Sequence, residues 1–406
     1  MATKQIFGAI LASLMAVFAA DWPQFGGVAR NFTSPETGVN KDWAAKPPKL
    51  AWKLNMHDDG YAGPAVARGV LYIVDRDGEN DVVLALDAKS GKEIWRFAYA
   101  DAGKPNYGYC RSTPAYDNGK VYTLSRLGLL HCLDAKTGKP AWSVNILQKF
   151  GGRQPQWLQS LSPLIDGNRV IVCPGGSANP VALDKETGNV LWQGTVGEQG
   201  KLSAVSYATP VIAEINGKKQ YLLFMAKGIY GADAADGKQV WSAPWETAYD
   251  INGAMPIALD GNKVFIASSY NHGCALLKIS GAEAEFVYSN RNAKSRFSTP
   301  ILHKGFLYAN NEPDLACLAP ATGELKWSAK GLLEFGGFCL VDDALIAMNG
   351  KSGDLILVKA DPAGYSELGR LAAPLAANGQ CWTAPIVAEK KLIARTKLEL
   401  GVFDLD

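Results

Sequence analysis

The stretch ALDAKSGKEIW, residues 85–95, returns almost letter for letter as HCLDAKTGKPAW at 131–142. Further copies read VALDKETGNVLW (181–192), GADAADGKQVW (231–241) and CLAPATGELKW (317–327). Two weaker ones, LLKISGAEAEFVY (276–288) and VKADPAGYSEL (358–368), keep the outline. The turn glycines, from Gly91 to Gly364, fall 41 to 50 residues apart, a propeller-blade period. An apolar strand ends at Asp, whose carboxylate can accept the N–H groups of the next residues and close a turn. Gly supplies the positive φ the turn needs. A second strand then delivers Trp four residues on, placed to wedge between neighbouring blades.

Upstream of each phrase runs a second recurring line: STPAYDNGKVYTL (112–124), LSPLIDGNRVIVC (161–173), ATPVIAEINGKKQYLLF (208–224) and FSTPILHKGFLYA (297–309). Each reads as strand, polar turn, strand. Together with the phrase it makes four antiparallel strands, one blade. Trp95, Trp142, Trp192, Trp241, Phe286 or Tyr288, Trp327 and Leu368 mark seven blades. An eighth begins at CWTAPIVAEKKLIARTKLELGVFDLD (381–406) and stops one strand short. KLAWKL (49–54), with Trp52 and no blade before it, supplies that strand and removes the open edge. The expected fold is all-β: an eight-bladed β-propeller over 49–406, its ring closed by an N-terminal strand.

The first residues read as an export signal. MATKQ carries one Lys, IFGAILASLMAVFAA is apolar, and the chain turns polar at Asp21. A short basic start, an apolar run and small residues at its end describe a cleavable leader over 1–20. The run is short for a membrane span, and no Cys follows it to carry a lipid. The expected location is therefore periplasmic or secreted, with a strap over 21–48 before the propeller. Net charge is +2 and no basic stripe appears, which argues against a nucleic-acid partner. The seven Cys form no disulfide framework and suit buried apolar positions.

ALDAxTGKxxW in this blade layout resembles the PQQ-repeat propellers, which include quinoprotein alcohol dehydrogenases and the assembly lipoprotein BamB. DWPQFGGVARNFTSPETG (21–38) also resembles the opening of exported proteins of this kind. The resemblance implies the fold over nearly all the mature chain, and it implies PQQ with calcium only if the dehydrogenase residues are present. Those enzymes carry adjacent Cys in the second blade; YGYCRSTPAY here has only Cys110. They carry a calcium-binding Glu in the third; PGGSANP (174–180) has none. No CxxCH haem site exists. The expectation is a non-catalytic scaffold, working as a monomer, that binds an envelope protein or small ligand at its funnel. The alternative is a PQQ-dependent oxidoreductase with a degenerate site.

Propellers bind at the mouth of the central channel, and two rings of residues are candidates. Three positions before the recurring Pro, whose place Phe338 takes in blade 7, stand Tyr61, Arg111, Ser160, Tyr207, Gly253, Phe297, Phe335 and Trp382. Four before it stand Gly60, Cys110, Gln159, Ser206, Asn252, Arg296, Glu334 and Cys381. Alternation along an inner strand sends the two rings to opposite sides, and the polar ring is the one expected to face the mouth. Candidate ligand-binding residues are Arg111, Gln159, Asn252, Arg296, Glu334, Tyr61, Tyr207 and Trp382. Arg296 and Glu334, in neighbouring blades, are placed to pair, and Glu334 is the candidate base. His272 with Cys274 makes half a metal site at best, and Asp75–Asp81 lacks calcium-loop spacing.

Overall fold

In each full copy of the phrase the Asp does what its chemistry suggests. Asp134 Oδ1 accepts from the backbone N of Lys136 (3.1 Å) and Thr137 (2.9 Å) and from the Thr137 hydroxyl (2.8 Å). Asp184 repeats this on Glu186 and Thr187, and Asp87 on Ser90. Gly91, Gly138, Gly188 and Gly237 sit at φ 71, 69, 71 and 72°, the left-handed region a side chain resists. The Ser90, Thr137 and Thr187 hydroxyls first, with the backbone N–H groups adding to them, hold the carboxyls of Asp87, Asp134 and Asp184 below the usual range.

The computed structural model describes residues 20–197 and 205–406, so the expected leader lies outside the described residues except for Ala20. Eight sheets follow one another in chain order among those residues. Seven run inner to outer from consecutive strands, as in blade 1: Ala65–Ala67, Val70–Asp77, Asn80–Asp87 and Glu93–Ala100. The eighth comprises Ile386–Ala388, Lys391–Arg395 and Glu399–Asp404, with Lys49–Asn55 pairing antiparallel as its outer strand. The N-terminal strand closes the ring as expected. At that seam Arg395 and Asp58, both fully buried, pair at 2.7 Å, and Arg395 also donates to the carbonyls of Ala62 (2.9 Å) and Gly60 (3.2 Å). Among the described residues helix is confined to Ile146–Phe150 and one short 3-10 turn.

Blades are locked by the phrase itself. The indole of Trp52 lies over Gly91 of the next blade and donates to Ala88 O at 3.0 Å. Trp95 lies over Gly138 and donates to Ala135 O at 2.9 Å. Trp142 lies over Gly188 and donates to Lys185 O at 3.0 Å. A Cβ on Gly138 would stand 2.6 Å from the Trp95 ring, so the turn glycine serves conformation and clearance together. In blade 5 the wedge is Tyr288, not Phe286. Its hydroxyl donates to Pro320 O at 2.8 Å, and its ring covers Gly323.

A bulge aims these wedges. In all eight sheets the register between third and outer strand shifts one residue before the wedge. Such an extra residue bends and twists the strand. It also corrects the marker in blade 7, because Leu368 is the skipped residue and the wedge position is Gly369. A Cβ there would meet Trp43 at 2.4 Å. The strap takes this space: the Cβ and backbone of Trp43 lie over Gly369, and its buried indole donates to Asn40 O at 3.1 Å. Trp241 departs in another way. It lies opposite Gly231, where other blades have Ala, Cys, Val or Leu, folds back and donates to Gln220 Oε1 at 2.8 Å.

The strap crosses the channel. Trp22 pairs with Val66 of blade 1 in both directions at 2.8 Å, Pro23 O accepts from Tyr116 N of blade 2 at 2.7 Å, and Arg30 donates to Ile165 O of blade 3. Thr33–Ser34 runs parallel to Phe338–Val341 of blade 7. These contacts fall beyond the recurring prolines along the inner strands, so the strap closes the channel on the side away from the lead-in loops. Replacing Trp43 by Ala should cost roughly 3–5 kcal/mol, as for a buried wedge such as Trp95→Ala. Urea denaturation of both variants checks this, and a Trp43→Ala loss within about 0.5 kcal/mol, the level of an inert surface change, would refute the substitution of strap for blade.

Candidate functional site

The inner strands begin after the recurring Pro, at Ala65, Ala115, Leu164, Val211, Ile257, Ile301 and Ile386. Proline has no N–H to give the ladder, so the residues before it form lead-in loops at the mouth. Strand alternation does not govern them, and the two rings take the reverse of the expected orientation. Gln159 and Asn252 are fully buried and point into the blades. Asn252 Nδ2 donates to Met225 O at 2.7 Å and its Oδ1 accepts from Ser268 Oγ at 2.7 Å. Gln159 Nε2 reaches Cys173 O at 3.5 Å. Cys110 and Cys381 are buried beside them. This ring fastens each loop to the blade, because its carbonyls need partners.

The other ring lines the channel. A cavity of about 230 Å³ is bordered by Tyr61, Arg111, Ser160, Tyr207, Gly253, Phe297 and Trp382, with Tyr107, Trp157 and Tyr270 at the rim. Gly63, Thr113, Thr299, Gly337 and Thr383 narrow its throat, and Trp22, Phe25 and Phe32 of the strap floor it. Arg296, long enough to turn back, is the one member of the polar ring on the wall. Of the expected residues the structure brings together Tyr61, Arg111, Tyr207, Arg296 and Trp382.

The rings are engaged with one another. Trp382 stacks on Tyr61 (4.8 Å, 13°) and on Phe297 (4.9 Å, 30°). Trp157 lies 6.2 Å from Tyr207 and 6.1 Å from Tyr249, which meets Tyr270 at 5.4 Å. The Arg296 guanidinium lies 4.4 Å from the Tyr270 ring and 4.3 Å from the Phe335 ring. Several mouth residues hold left-handed backbone without being glycine: Asp59, Leu158, Tyr249, Asp250, Tyr270, Glu334 and Gln380. Such strain concentrates at functional sites.

Glu334 is not on the wall, and Arg296 does not pair with it. Its partner is Glu312, 3.5 Å from Nε, with Ser269 Oγ accepting at 2.9 Å. Burial pushes the Glu312 carboxyl up. Glu312 sits in a turn between the second and third strands of blade 6, outside both rings, and nothing in its neighbourhood of sequence marked it. Burial also draws Arg111 down, with Arg126 adding to this.

The loop that carries Tyr107 and Arg111 is anchored by buried charge: residues 77–80 form an exposed hairpin tip, while Asp75, Arg76 and Asp81 beside it are buried. Arg76 donates to Asp81 (2.9 Å) and to Asp101 O (2.9 Å), and Arg126 pairs with the Asp101 carboxylate. The Arg76 guanidinium lies 3.6 Å from the Tyr109 ring. Burial first, and Asp101 second, pushes Asp81 up to about 6. The folded chain thus binds a proton on Asp81 more readily than the unfolded chain. Wild type should lose stability relative to Asp81→Asn as pH rises from about 4 to about 6. Paired denaturation curves across that range check it, and a difference that does not change with pH would contradict it.

The cofactor that the resemblance implies, PQQ with calcium, does not fit these residues. The cavity wall carries no Asp, Glu or Asn to hold a hard cation. Among the described residues no group of three His, Cys, Asp or Glu is placed for a metal. His272 packs against Trp245 at 4.4 Å and Cys274 bonds Asn290 Oδ1 at 3.2 Å. All seven Cys are buried and unpaired. The ring faces that would stack a flat cofactor are already in contact with each other.

A family model described as PQQ_2, outer membrane protein assembly factor BamB, matches residues 44–105 and 79–329. BamB of Moranella endobia (strain PCIT) is 26% identical over 289 residues, 64% of this chain and 70% of that protein. The dehydrogenase subunit of a quinone alcohol dehydrogenase from Komagataeibacter europaeus is 37% identical over 158 residues. That match takes 36% of this chain and only 21% of the subunit. The crystal structure of BamB from Moraxella catarrhalis superposes with a TM-score of 0.63 at 18% identity, covering 88% of this chain and 99% of that one, a likeness of fold. No helix among the described residues is long and apolar enough to cross a membrane. With well over half of its length matched, the chain belongs to the PQQ_2 family of PQQ-repeat β-propellers.

Proposed function

We propose that this chain is an exported, non-catalytic binding propeller of the cell envelope, acting as a monomer, with the channel mouth as its binding surface. One observation carries the reading: the mouth cavity is walled by aromatic rings, small residues and two arginines, with no carboxylate, imidazole or thiol. A dehydrogenase needs a base within reach of the proton it removes, and apart from the arginines the titratable groups of this wall are tyrosine phenols, with Tyr61, Tyr207 and Tyr270 held above their usual pKa by burial. Tyr61, Arg111, Tyr207, Arg296 and Trp382 contact the ligand, while Gln159, Asn252 and Glu334 brace the loops behind them. The apolar leader supports export to the periplasm or medium, and BamB as a relative supports a scaffold role.

Two experiments test this. Mature protein incubated with PQQ, with and without calcium, should reduce no dye in assays on alcohols and sugars. Turnover that Trp382→Ala abolishes would revive the oxidoreductase reading. Fractionation of cells expressing the full chain should place a product starting near Asp21 outside the cytoplasm; uncleaved cytoplasmic protein would overturn the export.

A further inference from the structure

The charges around the mouth do not balance. In the corner between blades 1 and 2, Arg76, Arg111 and Arg126 face Asp81 and Asp101. Arg76 pairs with Asp81 and Arg126 with Asp101. Arg111 has no carboxylate partner among the described residues. It donates to the carbonyls of Tyr107 and Gly108 (3.1 Å to the latter), and its Nε is buried with no acceptor. Across the channel, Arg296 directs Nε at Ser269 and Glu312. Its faces lie between Tyr270 and Phe335. Its two Nη groups make no hydrogen bond among the described residues. Both arginines border one cavity that contains no acid.

Arg111 Nη1 and both Nη groups of Arg296 have no protein acceptor among the described residues and are not buried, whereas Arg111 Nε is buried out of a ligand's reach. An oxyanion can meet these open donors, because carboxylate and phosphate match the planar fork of an arginine. The body of the ligand is constrained as well. The cavity, about 230 Å³, is smaller than the roughly 300–1,000 Å³ usual for drug-sized ligands. Trp382 is already stacked by Tyr61 and Phe297, and Arg296 by Tyr270 and Phe335, so the wall presents mainly ring edges and guanidinium edges. Edges suit a compact aliphatic body better than a wide planar one.

We infer that the mouth is a metal-independent site for a small organic dianion with a compact aliphatic body, one oxyanion meeting the outer edge of Arg296 and the other meeting Arg111. This rests on the mouth being the binding surface proposed above. Carboxylate and phosphate share the recognising chemistry, and Glu312 with Ser269 fixes the fork of Arg296.

Calorimetric titration of the mature chain in chelator tests it, with succinate, citrate, glycerol phosphate, neutral succinamide and PQQ as probes. Saturable binding of succinate or citrate identifies a carboxylate site, and of glycerol phosphate alone a phosphate site; either supports the inference. Arg296→Gln and Arg111→Gln should each weaken binding roughly tenfold or more, and added salt should weaken it further. Unchanged denaturation midpoints in the variants show that the fold is intact, and Arg296→Lys, which keeps charge without the fork, should not restore affinity. No binding by any anion, affinity unchanged in both variants, or binding that appears only when calcium replaces the chelator would overturn it. Succinamide binding that Trp382→Ala abolishes would sink the dianion and leave the binding reading standing, whereas PQQ-dependent dye reduction would sink both.

Discussion

The contact between one blade's indole and the next blade's turn glycine is the constraint from which the rest follows. Among the described residues no ladder joins one sheet of the ring to the next, only isolated bridges such as that of Thr195 with Lys238 between blades 3 and 4, so something other than pairing must fix each to its neighbour. The phrase does this with two local devices. Asp and Gly make a turn whose top is flat, since a Cβ on Gly138 would collide with Trp95. A bulge before the wedge re-aims the Trp out of its own sheet. Where a component is missing the structure compensates, and each compensation has a cause in the sequence. Gly231 lets Trp241 fold back, and Gly369 leaves a slot for Trp43 of the strap.

That substitution explains why the strap belongs to the propeller although it lies in no blade. It fills the vacant wedge beside blade 7, adds a parallel strand to that blade, and lays Trp22, Phe25 and Phe32 across one end of the channel. A channel open at both ends would be a water-filled hole. Floored by three aromatic side chains, it becomes a blind pocket with a single mouth.

Fold and site were legible to different degrees for a physical reason. Blade number, ring closure and the wedge could be read because each recurs, and recurrence reports a shared structural demand. Phe286, Tyr288 and Leu368 were ambiguous markers because a bulge shifts register by one residue without leaving a signature in composition. The mouth was half legible. The positions three and four before the recurring Pro were the relevant ones, but their orientation was reversed. Proline starts the strand behind itself, so loop geometry and the hydrogen-bonding needs of the loop decide which side chain turns in. Asn252 and Gln159 satisfy buried carbonyls, and Tyr61, Tyr207 and Trp382 are left to face the channel. Glu312 was invisible because its importance comes from contact with a neighbouring blade.

The same division separates what this chain shares with its relatives from what is its own. The phrase that carries the resemblance is made of turns and wedges, and it says nothing about chemistry. Chemistry sits in the lead-in loops, which the wedges position but do not specify. In this chain those loops bring two arginines to one wall and keep every carboxylate behind it. Asp81, Asp101 and Glu312 are all close to the mouth, and each is turned away to hold an arginine in place. The acids of the site thus serve position, while Arg111, which has no carboxylate partner among the described residues, lines the cavity. Charge separated in this way by a rigid frame is a standing preference for an anion, set before any ligand arrives.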